Sequence, residues 1–298
     1  MSRQASPHAG FTLIEMIAVI VLIGILAGIV SSFIRNPITS YMDGVLNASL
    51  GEMANTAIRG LGRDLRTAVP NSIRMAAPSS STYLEFLPTR AGGVYRALPA
   101  GSGTPQCSGT LAQDILDFTT ADSCFAVIGP ALSMIASPAD SITVGSIQSG
   151  AAPAYNNTAT GVLRTYTGAT GSVTAINFTA TQLPVWAQLQ SQRFQVIPGD
   201  QQAVTYACVP SSSLGALDTS GNGQAKLVRY WAYGFNAAQV APPLATGQSA
   251  VLVDKVSGCN IVYNANNQNV GLVTVTLQLT VNNVTVRLYD EIHVNNQP

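Results

Sequence analysis

The chain has 298 residues, with 14 basic and 14 acidic side chains; 9% of its residues are charged and 47% hydrophobic. Balanced charge without an extended basic tract argues against a surface built to grip nucleic acid, so Arg59, Arg63 and Arg66 read as a solvated helix face. The four cysteines include no close pair, and His8 and His293 add no ligand cluster, so a zinc site is a poor reading.

From the N-terminus, a short polar stretch gives way at Gly10 to the run Phe11 to Ile34, in which Glu15 is the sole charged residue. As a helix this run reaches roughly 36 Å, enough to cross a hydrocarbon core about 30 Å thick. An acid stranded at the start of such a span needs a partner. Residues 1–10 are too short to hold the separate apolar region of a secretory signal, and no small-x-small cleavage site follows the run, so the segment is expected to be retained. Arg3, His8 and the initial amine precede the span, and the positive-inside bias places residues 1–10 in the cytoplasm. Gly24 and Gly28 form a small-xxx-small pair suited to close helix contact.

Asn36-Pro37 predicts a bend or interruption, because proline lacks an amide hydrogen and clashes with the preceding turn. Beyond it, Leu46, Leu50, Met53, Ala57, Leu61 and Leu65 recur at helical intervals and predict an amphipathic helix to about Ala68, stopping at Val69-Pro70-Asn71. Gly44, Gly51, Gly60 and Gly62 lower its intrinsic propensity, so packing must hold it.

From residue 72 the composition turns to Ser, Thr, Ala, Gly and Asn with short β-branched runs, and the domain reads as mostly β. Expected strands are Thr82 to Leu87, Ser141 to Ile147, Val173 to Phe178, Arg193 to Ile197 and Ala203 to Val209. Further strands are expected at Lys226 to Phe235, Ala250 to Val256 and Asn260 to Tyr263. The clearest unit is a tight hairpin, Leu272 to Val281 returning as Val284 to Val294, with Asn282-Asn283 supplying the turn. Asp290 breaks the return face and leaves room for a bulge or polar site. Loops are expected at 101–103, 149–153 and 210–223. Without a long linker or internal repeat, one elaborated domain is the simpler reading of the roughly 230 residues after the helix.

Four cysteines allow three complete pairings; proximity favours Cys107 with Cys124, leaving Cys208 with Cys259. Closing the shorter loop would stabilise by about 3 kcal/mol. Disulfides also fit an exported compartment, which places residues 35–298 outside the inner membrane. Asp114, Asp117 and Asp122 read as a solvated loop rather than a cation site. Cys124 and His293, the sole histidine of that region, make no catalytic set, so no enzyme, metal or cofactor is expected. Tyr166, Trp186, Trp231 and Tyr233 could stack on a ligand if they formed an exposed cluster; buried, they would favour a scaffold.

The junction Gly10-Phe11-Thr12-Leu13-Ile14-Glu15, followed by Met16-Ile17-Ala18-Val19-Ile20, resembles the processing and methylation signal of type IV pilins and type II secretion pseudopilins. The resemblance implies that Gly10 ends a leader cut by prepilin peptidase, that Phe11 becomes the N-methylated terminus, and that Glu15 pairs with a terminal amine in a fibre. It implies an α+β fold divided into leader 1–10, long helix 11–70 and disulfide-containing β head 71–298. The implied location is the inner membrane, single-pass with a periplasmic head, and then a pilus. Arg193-Phe194, Val204 to Cys208, Leu227 to Tyr230, Cys259 with Tyr263, Gly271 to Val273 and the tail His293 to Pro298 look like the large minor pilins of mannose-sensitive haemagglutinin (MSHA) pilus biogenesis. That likeness implies a low-copy subunit that initiates a pilus or sits near its tip. Its partners would be the prepilin peptidase and methyltransferase, major and minor pilins, and the inner-membrane assembly platform. The rivals are a tip adhesin for surface carbohydrate and a minor pseudopilin of type II secretion.

Overall fold

The structure is a computed structural model that describes residues 10–75, 82–135, 139–147, 152–265 and 270–297, without the side chains of residues 32 and 34–39. The leader residues 1–9 and loop residues 149–151 lie outside the described residues. Two compact units are present, Met1–Ser49 and Leu50–Pro298. One helix, α1 (Leu13–Leu65, 53 residues), contributes to both.

In the first unit the described residues from Leu13 onward are helical, and the large apolar side chains from Phe11 to Phe33 are exposed. The helix is not interrupted at Asn36-Pro37, which corrects that part of the expectation. A proline removes one hydrogen bond from the ladder, but the flanking turns keep theirs.

In the second unit, Leu50, Ala54, Ala57, Ile58, Leu61 and Leu65 of α1 are buried. The stripe differs from the expected one at Met53, which is 39% exposed, while its neighbour Ala54 is buried. Small residues let the backbone come close. A β-carbon added at Gly60 would lie 3.6 Å from Leu252, and one at Gly62 3.5 Å from Ile292. The helix ends three residues before the expected Ala68.

Five strands precede the middle of the head: β1 (Tyr83–Phe86), β2 (Ala91–Tyr95), β3 (Asp122–Ile128), β4 (Leu132–Met134) and β5 (Ser141–Val144). Then come β6 (Leu163–Thr165), β7 (Gly171–Val173), β8 (Ala175–Thr181), β9 (Arg193–Ile197) and β10 (Val204–Pro210). The chain closes with β11 (Ala225–Trp231), β12 (Gln248–Asn264), β13 (Val270–Val281) and β14 (Val284–Asn295). The fold is α+β, with a long helix whose C-terminal turns pack in a predominantly antiparallel β head.

The first large sheet has the order β1-β10-β11-β12-β13-β14, every neighbour antiparallel. Its last two strands pair over twelve positions without a register shift. Asn282 and Asn283 have φ of 50° and 64°, the left-handed pair a two-residue turn needs. Asp290 opposes Val275 in regular register, so no bulge forms there. The segments expected at Ala250 to Val256 and Asn260 to Tyr263 are one strand, β12. It pairs with β11 through Val256 and with β13 from there on, with irregular register between Val256 and Gly258.

The second sheet, β6-β5-β9-β2-β3-β8, curls until its edges meet at a bridge between Tyr166 and Phe178. Its core holds Tyr95, Phe118, Phe125, Phe178 and Phe194, with the rings of Phe125 and Phe194 at 5.0 Å and nearly perpendicular. Strands β2, β3, β4 and β6, and all but the last residue of β7, escaped the sequence reading. Ala91-Gly92-Gly93 has low strand propensity, and Gly93 is there because Phe194 of the neighbouring strand would lie 2.9 Å from any β-carbon.

Buried and partly buried charges join these parts. Asp64 on α1 accepts from Arg229 Nε and from the Tyr206 hydroxyl, each at 2.8 Å. Arg74 pairs with Glu85 at 2.8 Å, donates to the carbonyls of Asn236 and Ala237, and stacks 3.6 Å from the centre of the Tyr155 ring. Arg90 pairs with Asp140, whose carboxylate also accepts the Ile135 and Gly199 amides. The structure forms disulfides Cys107–Cys124 and Cys208–Cys259; the second ties β10 to the later half of β12.

Because Asp64 and Arg229 are partly buried and hydrogen-bonded, Asp64→Ala should lower head stability by about 2 kcal/mol. In a thermal-melting double-mutant cycle with Arg229→Met, a coupling near zero would show that the pair does not fasten the helix. Glu85 supplies a pH signature. Burial raises its pKa above 4.5, against the opposing pull of Arg74 and the Tyr233 hydroxyl. Its contribution is therefore complete below 4.5 and declines as pH rises through the folded value. Urea titrations from pH 4 upward should show this decline in the parent chain and lose it in Glu85→Gln.

Candidate functional site

The chemistry-bearing segment is the start of α1. Gly10, Phe11 and Thr12 precede the helix in non-helical conformation, and Phe11 is 82% exposed. The helix begins where it does because Thr12 caps it. Its Oγ1 accepts the Glu15 amide at 3.4 Å, while the Glu15 carboxylate accepts the Thr12 amide at 3.4 Å. This reciprocal T-x-x-E arrangement satisfies two backbone donors that a helix start leaves open.

Three consequences follow for the sequence-predicted residues. The Gly10-Phe11 bond lies outside the cap, in exposed chain that an enzyme can reach. A β-carbon at Gly10 would meet nothing within 4 Å, so the folded chain does not itself require glycine there. Glu15 is held by a local partner, Thr12, which the sequence reading had not considered. From Leu13 to Ser31 the helix is long and apolar enough to cross a membrane, the one such segment among the described residues.

The remaining candidates are dispersed. Asp114 is buried, correcting the solvated-loop reading: its carboxylate accepts the amides of Gln106 and Cys107, the latter at 2.7 Å. Asp117 is occupied by Thr119 and Thr120, whose hydrogen bonds hold its pKa below the ordinary carboxylate value, and Asp122 accepts the Asp117 amide. Among the described residues no three His, Cys, Asp or Glu side chains are grouped to hold a metal. Cys124 is in a disulfide, and His293 is exposed on β14.

Nor do the four aromatic candidates share a face. Tyr166 is buried in the core of the curled sheet and donates to the Ala169 carbonyl; Trp186 packs on the same core. Tyr233 is tied to Thr205 and Glu85, and Trp231 lies beside Arg229, 5.1 Å from its guanidinium carbon. The polar pairs at Asp64, Glu85 and Asp140 were missed because their partners are remote in sequence, by 165 residues for Asp64 and Arg229.

With open space at Gly10, Gly10→Leu should leave thermal stability within about 0.5 kcal/mol of the parent. A larger loss in the purified chain would mean the glycine is structural.

Residues 6–31 match the prokaryotic N-terminal methylation motif. Comparison with curated proteins gives no significant match, and neither does comparison with solved structures. The motif is typical of type IV pilin and pseudopilin-like proteins and implies processing by a prepilin peptidase and methyltransferase, and the fold beneath it is pilin-like: a long apolar helix joined to an antiparallel β head.

Proposed function

We propose that this chain is a minor pilin of a type IV, MSHA-like pilus, acting in the initiation of assembly or as a tip-proximal structural subunit. The observation that carries the reading is the exposed Gly10-Phe11 junction immediately outside a capped, span-length helix. Prepilin peptidase cuts after Gly10 on the cytoplasmic side, and Phe11 becomes the N-methylated terminus. The subunit then waits in the inner membrane as a single-pass protein with a periplasmic head, residues 71–298, until the assembly platform moves it into the fibre.

Glu15 is the assembly residue in this scheme. In lipid its carboxylate is costly to leave unpaired, and the Thr12 hydroxyl and amide supply neutral donors meanwhile. A protonated amine on a neighbouring subunit is a stronger partner, because it neutralises the charge. Exchange of one partner for the other sets the axial register of the helix. Two large sheets, one of them curled, make a head bulky for every layer of a shaft and fit a subunit present in few copies. The separation of Tyr166, Trp186, Trp231 and Tyr233 weakens the carbohydrate-binding alternative. A pseudopilin of type II secretion shares the same junction and is separated from the pilus reading by the filament in which the chain is found.

Sheared fibres should contain this chain with methylated Phe11 as its first residue by mass spectrometry. Glu15→Ala should reduce the amount recovered in fibres at least roughly tenfold, equivalent to about 1.4 kcal/mol per contact, with the melting of the β head unchanged. Recovery of the processed chain only from membranes, never from fibres, would sink the proposal.

A further inference from the structure

The first large sheet is open at one margin and sealed at the other. Val281 and Val284 flank the two-residue turn and form a hydrogen-bonded pair, so the even-numbered residues of β14 direct their amides and carbonyls toward β13. The odd-numbered residues, Thr285 through Asn295, direct theirs away. Among the described residues, no backbone hydrogen bond or bridge reaches that outer side. Along β1 and the residues after it, the chain covers its own margin with residues 67–74. Val69 donates to the Leu87 carbonyl, Thr89 donates to Thr67, and Arg74 and Glu85 exchange both backbone bonds. The outer strands of the curled sheet meet each other at Tyr166 and Phe178. A long uncovered edge such as β14 is a template for one kind of partner, another strand.

Strand direction says whose strand. With 6 strands and every neighbour antiparallel, β1 and β14 run in opposite directions. Two β14 edges paired antiparallel would reverse the whole sheet, and with it the turns of α1 that pack on its face at Leu252 and Ile292. Copies inserted in one membrane with a single orientation cannot meet that way. A subunit standing beside this one in the same orientation instead offers β14 the strand at its own first margin. That strand runs antiparallel to β14 while both helices point the same way. In a second copy of this chain it is β1, which residues 67–74 already cover. The fitting partner is therefore a different subunit whose first margin is bare.

Side chains narrow the match. Arg287, Tyr289 and Glu291 are exposed on one face of β14, and the Tyr289 hydroxyl donates to Glu291. Outward-directed residues sit directly opposite their partners in an antiparallel pair, so an incoming strand passes Glu291, then Tyr289, then Arg287. A basic, an apolar or aromatic, and an acidic residue at alternate positions, in that order, complement them. Charges on an edge discourage indiscriminate pairing, which makes this complementarity the condition for docking.

We propose that β14 is a heterotypic docking edge: it receives, antiparallel, the uncovered margin strand of a different pilin-like subunit held in the same membrane orientation. The choice of partner rests on the minor-pilin reading. Because the β1 margin is sealed, the sheet grows on one side only. The contact joins this chain to one neighbour and does not repeat along a shaft of its own copies.

Photocross-linking of the full chain in its membranes tests it, with p-benzoylphenylalanine in place of Tyr289. The expected adduct is to a different membrane protein with a methylated N-terminal residue, read by mass spectrometry. His293→Pro removes an outward amide and spares the bonds to β13, so it should cut the adduct at least roughly fivefold, whereas His293→Ala should hold it within about twofold. Arg287→Glu should also reduce it severalfold, by setting acid against acid. Melting curves establish that each variant is folded. The proposal is overturned by adducts only between copies of this chain, by adducts to a protein without that terminus, or by no adduct. Equal yields from His293→Pro and His293→Ala, or a yield indifferent to Arg287→Glu, overturn it as well. The expected adduct from a chain that is missing from sheared fibres would support the edge and count against the pilus reading alone.

Discussion

Everything in this molecule is arranged around a helix that must be stable in two kinds of surroundings. Its first half exposes apolar residues on all sides from Leu13 to Ser31, which suits lipid or other apolar helices and is unfavourable in water. Its last turns have one buried stripe, Leu50 to Leu65, and a charged outer face. No loop marks the change, because the backbone hydrogen bonds of a helix are internal and independent of the surrounding medium. The transition is made by side chains alone.

The two ends of the helix are fixed by different physics. At the start, Thr12 and Glu15 satisfy each other's backbone groups locally, and a carboxylate near the positive end of the helix dipole is favoured there. At the far end a local cap would not be enough, since the helix must keep one orientation against the sheet. Asp64 supplies that with Arg229 and Tyr206, while Gly60 and Gly62 let the backbone approach Leu252 and Ile292. Asn71, with φ of 57°, then ties the exit to the chain's far end by donating its side-chain amide to the carbonyls of Ser146 and Asn296.

Within the head, buried ionic groups sit where secondary structure meets irregular chain. Arg74 binds the carbonyls of Asn236 and Ala237, and Asp140 collects the amides of Ile135 and Gly199. Each charge thereby satisfies backbone groups that no strand accommodates. Replacing such a pair by apolar residues would leave those groups unpaired as well, so the polar arrangement has a structural reason beyond its own Coulomb energy.

The sequence determined the features whose cause is local. Helix α1, apart from the interruption expected at Asn36-Pro37, and the Asn282-Asn283 hairpin arise from side chains within a few positions of one another, and periodicity and turn chemistry report them; the Thr12–Glu15 cap is equally local but was not read from the sequence. Arg193 to Ile197 was legible for the same reason. Only the tertiary structure decided the curled second sheet, since Ala91-Gly92-Gly93 is a strand through the demand of Phe194 for space and not through its own propensity. It decided, too, that Met53 turns outward, that Asp114 binds amides instead of water, and that the four candidate rings share no common face. These outcomes rest on groups far apart along the chain, and a one-dimensional pattern carries no term for their meeting.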